Sequence, residues 1–561
     1  MILTGSIALL SLILGIKYSA SQKVIFKKPV LDKKLIPPVC NMESGFYTSE
    51  FPVLLSSPEN LPIYFTLDGT SPTRSSSVYS APILITGGAM NEAPLSYIST
   101  SPRWKPPLND VFSGIVIRAS TFGPGNTKSN ELIRSFFIEH DKRAYENLPV
   151  VSLVVEPDDF FGYENGIYVL GENYEDKDLY LRKNLRLDLP WWKYPSNYMK
   201  KGANADRKVF VEWFEPGYKF GFSKRARIRI NGNATRGFSQ KSLRLSFDKN
   251  EAGPLLYRIF PENTISSYSS IIMRNGGNDW DKTMFRDVLM QSLMSGSAVK
   301  TLVYRPAVVF INGEFWGLHN ISERMDEDYI SNHFHLSRDS VVILEVNGGK
   351  LGGTKKSEIS GFEDLVSFVS KNDMSQEASY KYVEERIEMN SFMDMIISNV
   401  YFSNSDWPAN NVKFWRYRGK NNFSHPESDG KWRWMLYDTD WGFGYTGKGA
   451  VNVNLLDKVR KSAYIGVIFG GLLKNPEFSR NFVERFRSHM TVRFNKTLVI
   501  EQINKLEETF APCMQEHIDR WREIGSYYKW KAYVQELRDF AEQRPLIQEE
   551  HLKALVKKEA K

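Results

Sequence analysis

The chain has 561 residues, of which 42% are hydrophobic and 25% are charged. This length allows two or three well-buried cores, and the composition excludes wholesale disorder. The formal net charge of +8 is spread along the chain, and no basic groove pattern accompanies the aromatic residues, so we expect no nucleic-acid partner.

The N-terminus has the features of an export signal. Residues 2–16 are apolar apart from small polar residues, and Lys17 follows them. This run is shorter than the roughly 20 residues of a membrane-spanning helix, and small residues at 19–21 suit a signal peptidase. The sequence predicts a signal peptide over 1–21 and a basic, proline-flanked linker over 22–39. Because no Lys or Arg precedes the apolar run, an uncleaved anchor is the alternative.

No later segment is apolar for long enough to span a bilayer, so we expect a secreted or cell-surface protein with no stable membrane span. The two cysteines, Cys40 and Cys513, lie near opposite ends of the chain. An exported chain can join such a pair in a disulfide, and two buried free thiols fit the pattern equally well.

Residues 40–139 show short strands separated by turns. Residues 63–67 alternate as a half-buried strand does, and Asp68-Gly69 is a pair that tight turns favour. Further strands are predicted at 83–85, 116–119 and 133–138. The pattern indicates an all-β, Ig-like sandwich of about 100 residues.

The same segment carries a family resemblance. Its residues 63–73 are Ile-Tyr-Phe-Thr-Leu-Asp-Gly-Thr-Ser-Pro-Thr, followed by Ser77, Tyr79, Pro82 and Ile83. This pattern resembles the chitobiase/β-hexosaminidase C-terminal-like domain, a non-catalytic Ig-like sandwich that is common in secreted bacterial proteins. The resemblance covers roughly 40–139 and implies no chemistry. Two roles are open to this segment: binding a glycan and acting as a spacer.

From residue 148 the pattern mixes strands and helices. Alternating strands are predicted at 225–230 and 243–247, and Asn312-Gly313 between two apolar strands is a strong hairpin signal. After residue 360 apolar residues recur at the three- and four-residue spacing of helices. A β-rich part followed by a helical part predicts an α+β, two-lobed catalytic domain.

We place this catalytic domain over residues 148–540, and a basic helical tail over 541–561. The strongest chemical signal lies within it, at 404–444.

Asp406 follows a predicted helix, Asn411 comes five residues later, and Asp438 and Asp440 follow a predicted buried strand. Kinases use one Asp to accept the proton of the substrate hydroxyl, and an Asn and a second Asp to hold Mg²⁺ against the phosphates. Few protein ligands are enough, because Mg²⁺ keeps water and phosphate oxygens. The alternative is two loops whose Asp and Asn residues cap helices or turns.

A second candidate is the turn before the strand at 243–247. It contains Gly232 and Arg236, and Lys241 opens the strand. Backbone N–H groups of such a turn can approach phosphate, and a lysine can contact the α- and β-phosphates, so these three residues are candidates for ATP binding. The Gly-Lys-Ser/Thr ending of a Walker A loop is missing. An ordinary hairpin with an exposed lysine is the alternative.

Several motifs in order along the chain carry a second resemblance. They are Lys241 with its hairpin, the Arg-Asn-Gly-Gly-Asn-Asp-Trp segment at 274–280, and residues 304–323, 404–411 and 432–444. Together they resemble the CotH kinase family over roughly 148–540. Its members resemble divergent protein kinases that use ATP and a divalent metal ion, here Mg²⁺ or Mn²⁺, to phosphorylate Ser or Thr. Spore-coat proteins are the known substrate type.

The resemblance implies roles for single residues. Lys241 would hold the ATP phosphates, and Glu323, which has the family's position after the hairpin, is placed with it. Asp406 would be the catalytic residue. The metal ligands would be Asn411 and Asp438, with Asp440 as a further candidate.

The sequence therefore favours a secreted, atypical Ser/Thr protein kinase acting on a Ser/Thr-rich surface or coat protein. The alternative is a non-catalytic cell-surface or matrix protein, with a degenerate kinase fold that binds a partner and a sandwich that binds glycan. It stays open because the outer compartment is poor in ATP. A metal-dependent hydrolase is disfavoured, because the chain has no His-rich metal set.

Overall fold

The structure is a computed structural model that describes residues 34–87, 94–125, 127–139, 144–183, 190–247, 253–422 and 424–559. The predicted signal peptide and residues 22–33 of the predicted linker lie outside the described residues. Among the helices that are described, none combines the length and the apolar character needed to cross a membrane.

The N-terminal region is a β-sandwich. Its described strands are β1 (Val39–Cys40), β2 (Gly45–Tyr47), β3 (Phe51–Val53), β4 (Leu55–Ser56), β5 (Ile63–Thr66), β6 (Ser77–Val78), β7 (Ile83–Ile85), β8 (Ile115–Thr121) and β9 (Leu132–Ile138). A five-stranded sheet has the order β2-β9-β8-β5-β6, and β3 pairs with β7. Apolar side chains that alternate along the strands, such as Ile63, Ile85, Ile117 and Phe136, fill the space between the sheets.

A closed barrel follows. The described strands of this part are β10 (Val150–Val155), β11 (Arg207–Glu215), β12 (Lys219–Ile230), β13 (Leu243–Ser246), β14 (Leu255–Leu256), β15 (Ser267–Tyr268), β16 (Ser270–Arg274), β17 (Tyr304–Ile311) and β18 (Glu314–Glu323). The order around the barrel is β10-β11-β12-β13-β16-β18-β17, and the parallel pairing of β17 with β10 closes it. Helices α1 (Pro157–Phe161), α2 (Lys177–Lys183) and α3 (Arg286–Leu293) lie in the connections.

The C-terminal lobe combines a small sheet with helices. The sheet has the order β20-β19-β21-β22, formed by β19 (Val341–Asn347), β20 (Lys350–Gly353), β21 (Val412–Tyr417) and β22 (Arg433–Met435). The described helices are α4 (Glu327–Phe334), α5 (Lys356–Lys371), α6 (Glu377–Glu384), α7 (Met389–Tyr401), α8 (Leu455–Arg460), α9 (Tyr464–Leu472), α10 (Pro476–Val492), α11 (Lys496–Trp521) and α12 (Tyr527–Glu559). The predicted architecture, an all-β sandwich followed by an α+β two-lobed domain, is confirmed.

Helix α7 leads into the loop that contains the first predicted site residue. The Glu388 carboxylate accepts hydrogen bonds from the first backbone N–H groups of α7, and almost all of its residues are buried. At its other end, the Arg544 guanidinium of α12 donates to the carbonyls of Val400 at 2.6 Å and Tyr401 at 2.8 Å. A cation on the last carbonyls of a helix satisfies their free acceptors, so α7 ends at a fixed point.

Arg544 lies in the segment that was predicted as a basic tail. Residues 541–559 are the second half of α12, and Arg544 and Leu552 are fully buried. The segment is helical as predicted for the tail, but α12 continues through residue 541 without a break. Charges on the outer face of α12 gave the segment its basic composition, whereas its inner face completes the core of the lobe.

The sandwich packs directly on the barrel. The Ser44 hydroxyl donates to the buried carboxylate of Glu212 on β11 at 2.5 Å. The Glu314 carboxylate, at the start of β18, accepts from the backbone N–H groups of Leu95 at 3.0 Å and Ser96 at 2.7 Å. A spacer between independent domains would not bury such contacts, so of the two roles considered for the sandwich, the spacer is not supported. Cys40 and Cys513 do not form a disulfide with each other.

Candidate active site

Asp406 lies in the loop that joins α7 to β21. The side-chain amide of Asn410 donates to one oxygen of its carboxylate at 2.7 Å, and that of Asn411 donates to the other at 2.9 Å. The carboxylate is half-buried, so it is held in one orientation and still reaches solvent. Each oxygen keeps acceptor capacity for a further donor, as a group that accepts the proton of a hydroxyl requires.

Asn411 connects this loop to the segment after β22. Its side-chain amide also donates to the backbone carbonyl of Asp438 at 3.4 Å. The structure therefore brings Asp406, Asn411 and Asp438 together, although Asp438 is 27 residues from Asn411 in sequence.

Two oxygen atoms at this junction fit a divalent metal ion. The Asn411 Oδ1 atom and the Asp438 Oδ2 atom accept no hydrogen bond from any residue that the structure describes. Within the described ranges, no group of three or more His, Cys, Asp or Glu side chains converges as a metal site. One amide and one carboxylate oxygen suit Mg²⁺ or Mn²⁺, because such ions complete their shell with water and phosphate oxygens.

Arg274, at the end of β16, faces the same acids from the barrel. Its Nη2 atom donates to Asp438 Oδ1 and, at 2.6 Å, to Asp440 Oδ2. Its Nε atom lies 3.8 Å from Asp287 Oδ2. Burial by itself lowers the pKa of Arg274, but Asp438, Asp287 and Asp440 outweigh it and hold that pKa well above its usual range. Arg274 was not among the predicted site residues.

Asp440 is fully buried, and both of its carboxylate oxygens are occupied. Oδ2 accepts from Arg274 and from the backbone N–H of Asn278 at 2.8 Å, and Oδ1 accepts from the Asn278 side-chain amide at 3.1 Å. Burial and the neighbouring charge of Asp438 raise the pKa of Asp440 well above its usual range. The structure does not support the prediction of Asp440 as a metal ligand: its carboxylate anchors the 274–280 segment instead.

Asp287 holds Thr439, the residue between Asp438 and Asp440, in place. Its carboxylate accepts from the Thr439 backbone N–H at 2.9 Å and hydroxyl at 2.6 Å, and from the Tyr304 hydroxyl at 2.7 Å. Burial raises the pKa of Asp287, but the charge of Arg274 and these hydrogen bonds outweigh burial and lower it. This contact was not predicted from the sequence, in which the 274–280 segment stood out but nothing indicated a partner for Asp287.

Four non-glycine residues in the loops that contain Asp406 and Asp438 adopt left-handed backbone conformations. The φ angles are +54° at Ser403, +61° at Asn411, +52° at Asp438 and +51° at Phe443. Such conformations are uncommon for residues with a Cβ atom, and they cluster at functional sites, where the surrounding structure enforces them. Their concentration here indicates that these two loops form the site.

Lys241 does not have the environment that was predicted. It is fully buried, and its Nζ atom donates to the carbonyls of Thr100 at 2.9 Å, Arg236 at 2.7 Å and Phe238 at 2.8 Å. Burial lowers the pKa of Lys241 well below its usual value. The three carbonyls use all three N–H donors of an ammonium group, so this geometry does not support phosphate binding by Lys241. The alternative of an exposed lysine on a hairpin is wrong as well.

Arg236 and Gly232 also have structural roles. The Arg236 guanidinium donates to the carbonyls of Gly232 at 2.8 Å, Tyr198 at 2.9 Å and Ile230 at 2.7 Å. Gly232 is exposed, with a φ angle of +100° that a residue with a side chain rarely adopts. The side chain predicted to bind ATP thus holds the loop together from inside.

Glu323 ends β18 away from the two loops that contain Asp406 and Asp438, which we call the acidic loops. Its carboxylate accepts from His333 Nε2 at 2.9 Å and from the Asn263 side-chain amide at 3.3 Å. In the strand register it lies opposite Ile271, three residues before Arg274. These contacts do not support its placement with the ATP-binding residues.

A cavity of about 230 Å³ opens beside the Asp406 loop. Pro408 and Ala409 of the loop form one wall, and residues of α8 and of the turn before α9 form the other, including Lys458, Lys461 and Tyr464. Lys458 also donates from Nζ to the Ser405 carbonyl at 2.6 Å. This second wall was not predicted, because its residues lie some 50 positions after Asp406 along the chain.

Two models of known protein families match the sequence. The family model for the chitobiase/beta-hexosaminidase C-terminal domain matches residues 42–92, within the sandwich. The family model described as CotH kinase protein matches residues 228–547, more than half of the chain, and includes both acidic loops. No curated protein matches the sequence. The chain belongs to the CotH kinase protein family.

Proposed function

We propose that this protein is an active, ATP-dependent Ser/Thr protein kinase that phosphorylates surface or coat proteins. The observation that carries the proposal is the convergence of Asp406, Asn411 and Asp438 from two separate loops. An Asp beside an Asn and a second Asp is the arrangement that phosphoryl transfer from ATP uses.

Each residue has a distinct part in the proposal. Asp406 accepts the proton of the substrate hydroxyl, and Asn410 and Asn411 keep its carboxylate in one orientation. Asn411 Oδ1 and Asp438 Oδ2 would hold Mg²⁺ or Mn²⁺. The ion would supply positive charge that offsets the charge of the phosphates beside the acids.

The protein substrate would reach Asp406 from the cavity beside its loop. Pro408 and Ala409, two and three residues after Asp406, line this cavity, so a Ser or Thr side chain that enters it would lie beside the Asp406 loop. Two lysines, Lys458 and Lys461, are on its opposite wall. Their charge would favour phosphate over other groups near the loop.

We also propose that the protein acts outside the cell. The proposal rests on the apolar run at residues 2–16 and the small residues at 19–21. Mass spectrometry of the exported protein should find a mature N-terminus near Gln22, and an intact Met1 on cytosolic protein would contradict export.

One observation favours a second candidate function. Arg274 forms ion pairs with both Asp438 and Asp440, and such pairing would stabilise these acids in a degenerate kinase fold that binds no metal ion. In that case the chain would be a non-catalytic binding protein of the surface or matrix, and its sandwich could bind glycan.

Phosphate transfer from labelled ATP separates the two functions. The purified mature chain is incubated with ATP, Mg²⁺ or Mn²⁺, and a Ser-rich protein, with Asp406→Asn as the matched inactive variant. We expect labelled phosphoserine or phosphothreonine with the parent and almost none with Asp406→Asn. Equal labelling in both, or none in either with both metals, would support the binding protein.

A further inference from the structure

A basic row crosses the outer face of the barrel. Arg244 lies on β13 between Leu243 and Leu245, whose side chains fill the barrel, so the Arg244 side chain points outward. Arg229 of β12 is its cross-strand neighbour in the register. Directly opposite residues in a sheet project to the same face, so the two guanidinium groups lie on one surface.

The same surface leads to the acidic loops. Ile272 of β16 lies opposite Arg244, and Arg274, two residues farther, projects to the same side and bonds the acids. Ser322 of β18 lies opposite Ile272. Arg324 is two residues beyond Ser322, which places it at the other end of this face.

Arg244 differs from Arg229 and Arg324 in having no direct ion-pair partner among the described residues. Arg229 is paired with Asp206 at 2.8 Å, and Arg324 with Asp326 at 2.8 Å. Arg244 forms no hydrogen bond or ion pair with any residue that the structure describes, and its Nε atom is buried. Burial, followed by the charges of Arg324 and Arg229, lowers the pKa of Arg244 to about 10, although the smaller effects of the Asp326 and Asp206 charges raise it. A half-buried guanidinium between two others is unfavourable unless an anion joins it.

We propose that Arg229, Arg244 and Arg324 bind the phosphate chain of the nucleotide, and that Arg244 is its principal ligand. This inference rests on the proposed kinase function and names the phosphate-binding wall of that site. Guanidinium groups present planar pairs of N–H donors that match phosphate oxygens. The role of phosphate ligand was predicted for Lys241, but its Nζ atom donates to three backbone carbonyls. We assign that role to Arg244, three residues later.

Calorimetric titration of the mature chain with Mg²⁺ tests the inference. The probes are ATP, inorganic triphosphate and adenosine. The variants are Arg244→Gln, Arg244→Lys and the control Lys208→Gln, which removes one charge from an exposed position opposite Arg227 on the neighbouring strand. Arg244→Gln removes a charge that forms no ion pair with the described residues, so this variant should unfold at or above the parent's temperature.

We expect Arg244→Gln to weaken ATP and triphosphate binding on the order of 10- to 100-fold, the worth of a hydrogen bond to a charged group. Adenosine binding should not change, Arg244→Lys should restore part of the affinity, and Lys208→Gln should behave as the parent. Unchanged ATP affinity in Arg244→Gln, or an equal loss for adenosine, would overturn the inference.

The two proposals fail in different ways. A parent that transfers phosphate, with Arg244→Gln binding ATP at full affinity, supports the kinase and overturns the arginine site. A parent that binds triphosphate through Arg244 and transfers no phosphate supports the arginine site and contradicts the kinase.

Discussion

Arg274 sets the charge balance of the acidic cleft. One guanidinium group meets three carboxylates, those of Asp438, Asp440 and Asp287. Among these acids, the pKa of Asp287 is lowered, whereas the pKa of the fully buried Asp440 is raised. Asp440 therefore keeps its proton more readily than Asp287. Among the oxygens of these three carboxylates, Asp438 Oδ2 is the one that we expect to bind a cation.

Lys241 gives the first prediction at this scale. Replacing Lys241 by Met leaves the buried carbonyls of Thr100, Arg236 and Phe238 without their donor. We expect the free energy of unfolding to fall by roughly 3 kcal/mol, because each buried acceptor without a partner costs about 1 kcal/mol or more. Thermal unfolding measures the loss, with the exposed Lys553→Met as the control.

ATP titration below the unfolding temperature completes that comparison. If Lys241 is structural, the folded fraction of Lys241→Met binds ATP as the parent does. An unchanged unfolding temperature together with a large loss of ATP affinity would restore the role that the sequence suggested and contradict the structure.

The types and spacing of Asp406, Asn411 and Asp438 were enough to predict that they form one site. Two of them lie in a loop after a predicted helix, and the third follows a predicted strand. The partners of Lys241 and Arg274 could not be predicted in this way. Thr100 is 141 residues from Lys241, and Asp438 is 164 residues from Arg274. Nothing in the sequence states which charge faces which over such separations, so Lys241 was given the role of a free cation.

At the scale of elements, the β17–β18 hairpin links the barrel to the sandwich. Its turn has φ angles of +48° at Asn312 and +87° at Gly313, as the Asn-Gly pair predicted. A Cβ atom on Gly313 would lie 2.4 Å from the Gly114 carbonyl oxygen of the sandwich. The turn is therefore shaped both by its own backbone and by the neighbouring domain.

We predict that Gly313→Ala destabilises the protein by clearly more than the roughly 1 kcal/mol that a positive φ angle costs an alanine. Gly217→Ala is the matched control, since Gly217 has a φ angle of +76° and no atom within 4 Å of its Cβ position. Denaturant unfolding of both variants gives the difference. Equal losses would mean that the contact with Gly114 carries no energy.

Elements with strong local signals were predicted well: β7 at 83–85 and the hairpin at Asn312-Gly313 lie at their expected positions. The closure of the barrel was not predicted, because the pairing of β10 with β17 joins segments more than 150 residues apart. Helix α3 begins at Arg286, since the Asp279 carboxylate holds the preceding turn through Thr283 and Arg286.

At the scale of the whole molecule, Glu212 makes the sandwich–barrel contact sensitive to pH. It is fully buried beside Ser44, and burial raises its pKa to about 7. Below its ordinary pKa both the folded and the unfolded chain carry the proton. As pH rises from about 4.5 to about 7, the unfolded chain loses it first, so the folded state becomes less stable.

We therefore expect the unfolding temperature of the parent to fall between pH 5 and pH 8, by an amount equivalent to roughly 3 kcal/mol at most. Glu212→Gln keeps a neutral side chain and should remove most of this fall, whereas Glu385→Gln, at an exposed position, should not. A pH profile of Glu212→Gln parallel to that of the parent would show that this contact does not titrate.

The separate roles proposed for Asp406 and Asp438 are tested most directly by measuring ATP binding and phosphate transfer on variants of these two residues. Asp438→Ala should abolish metal-dependent ATP binding, because it removes the carboxylate oxygen that would hold the ion. Asp406→Ala should keep ATP binding and reduce the transfer rate by a factor on the order of 10² to 10⁴, the usual worth of a positioned base. Loss of metal-dependent binding in Asp406→Ala with full binding in Asp438→Ala would reverse the roles, and transfer at the parent's rate in both variants would contradict the kinase.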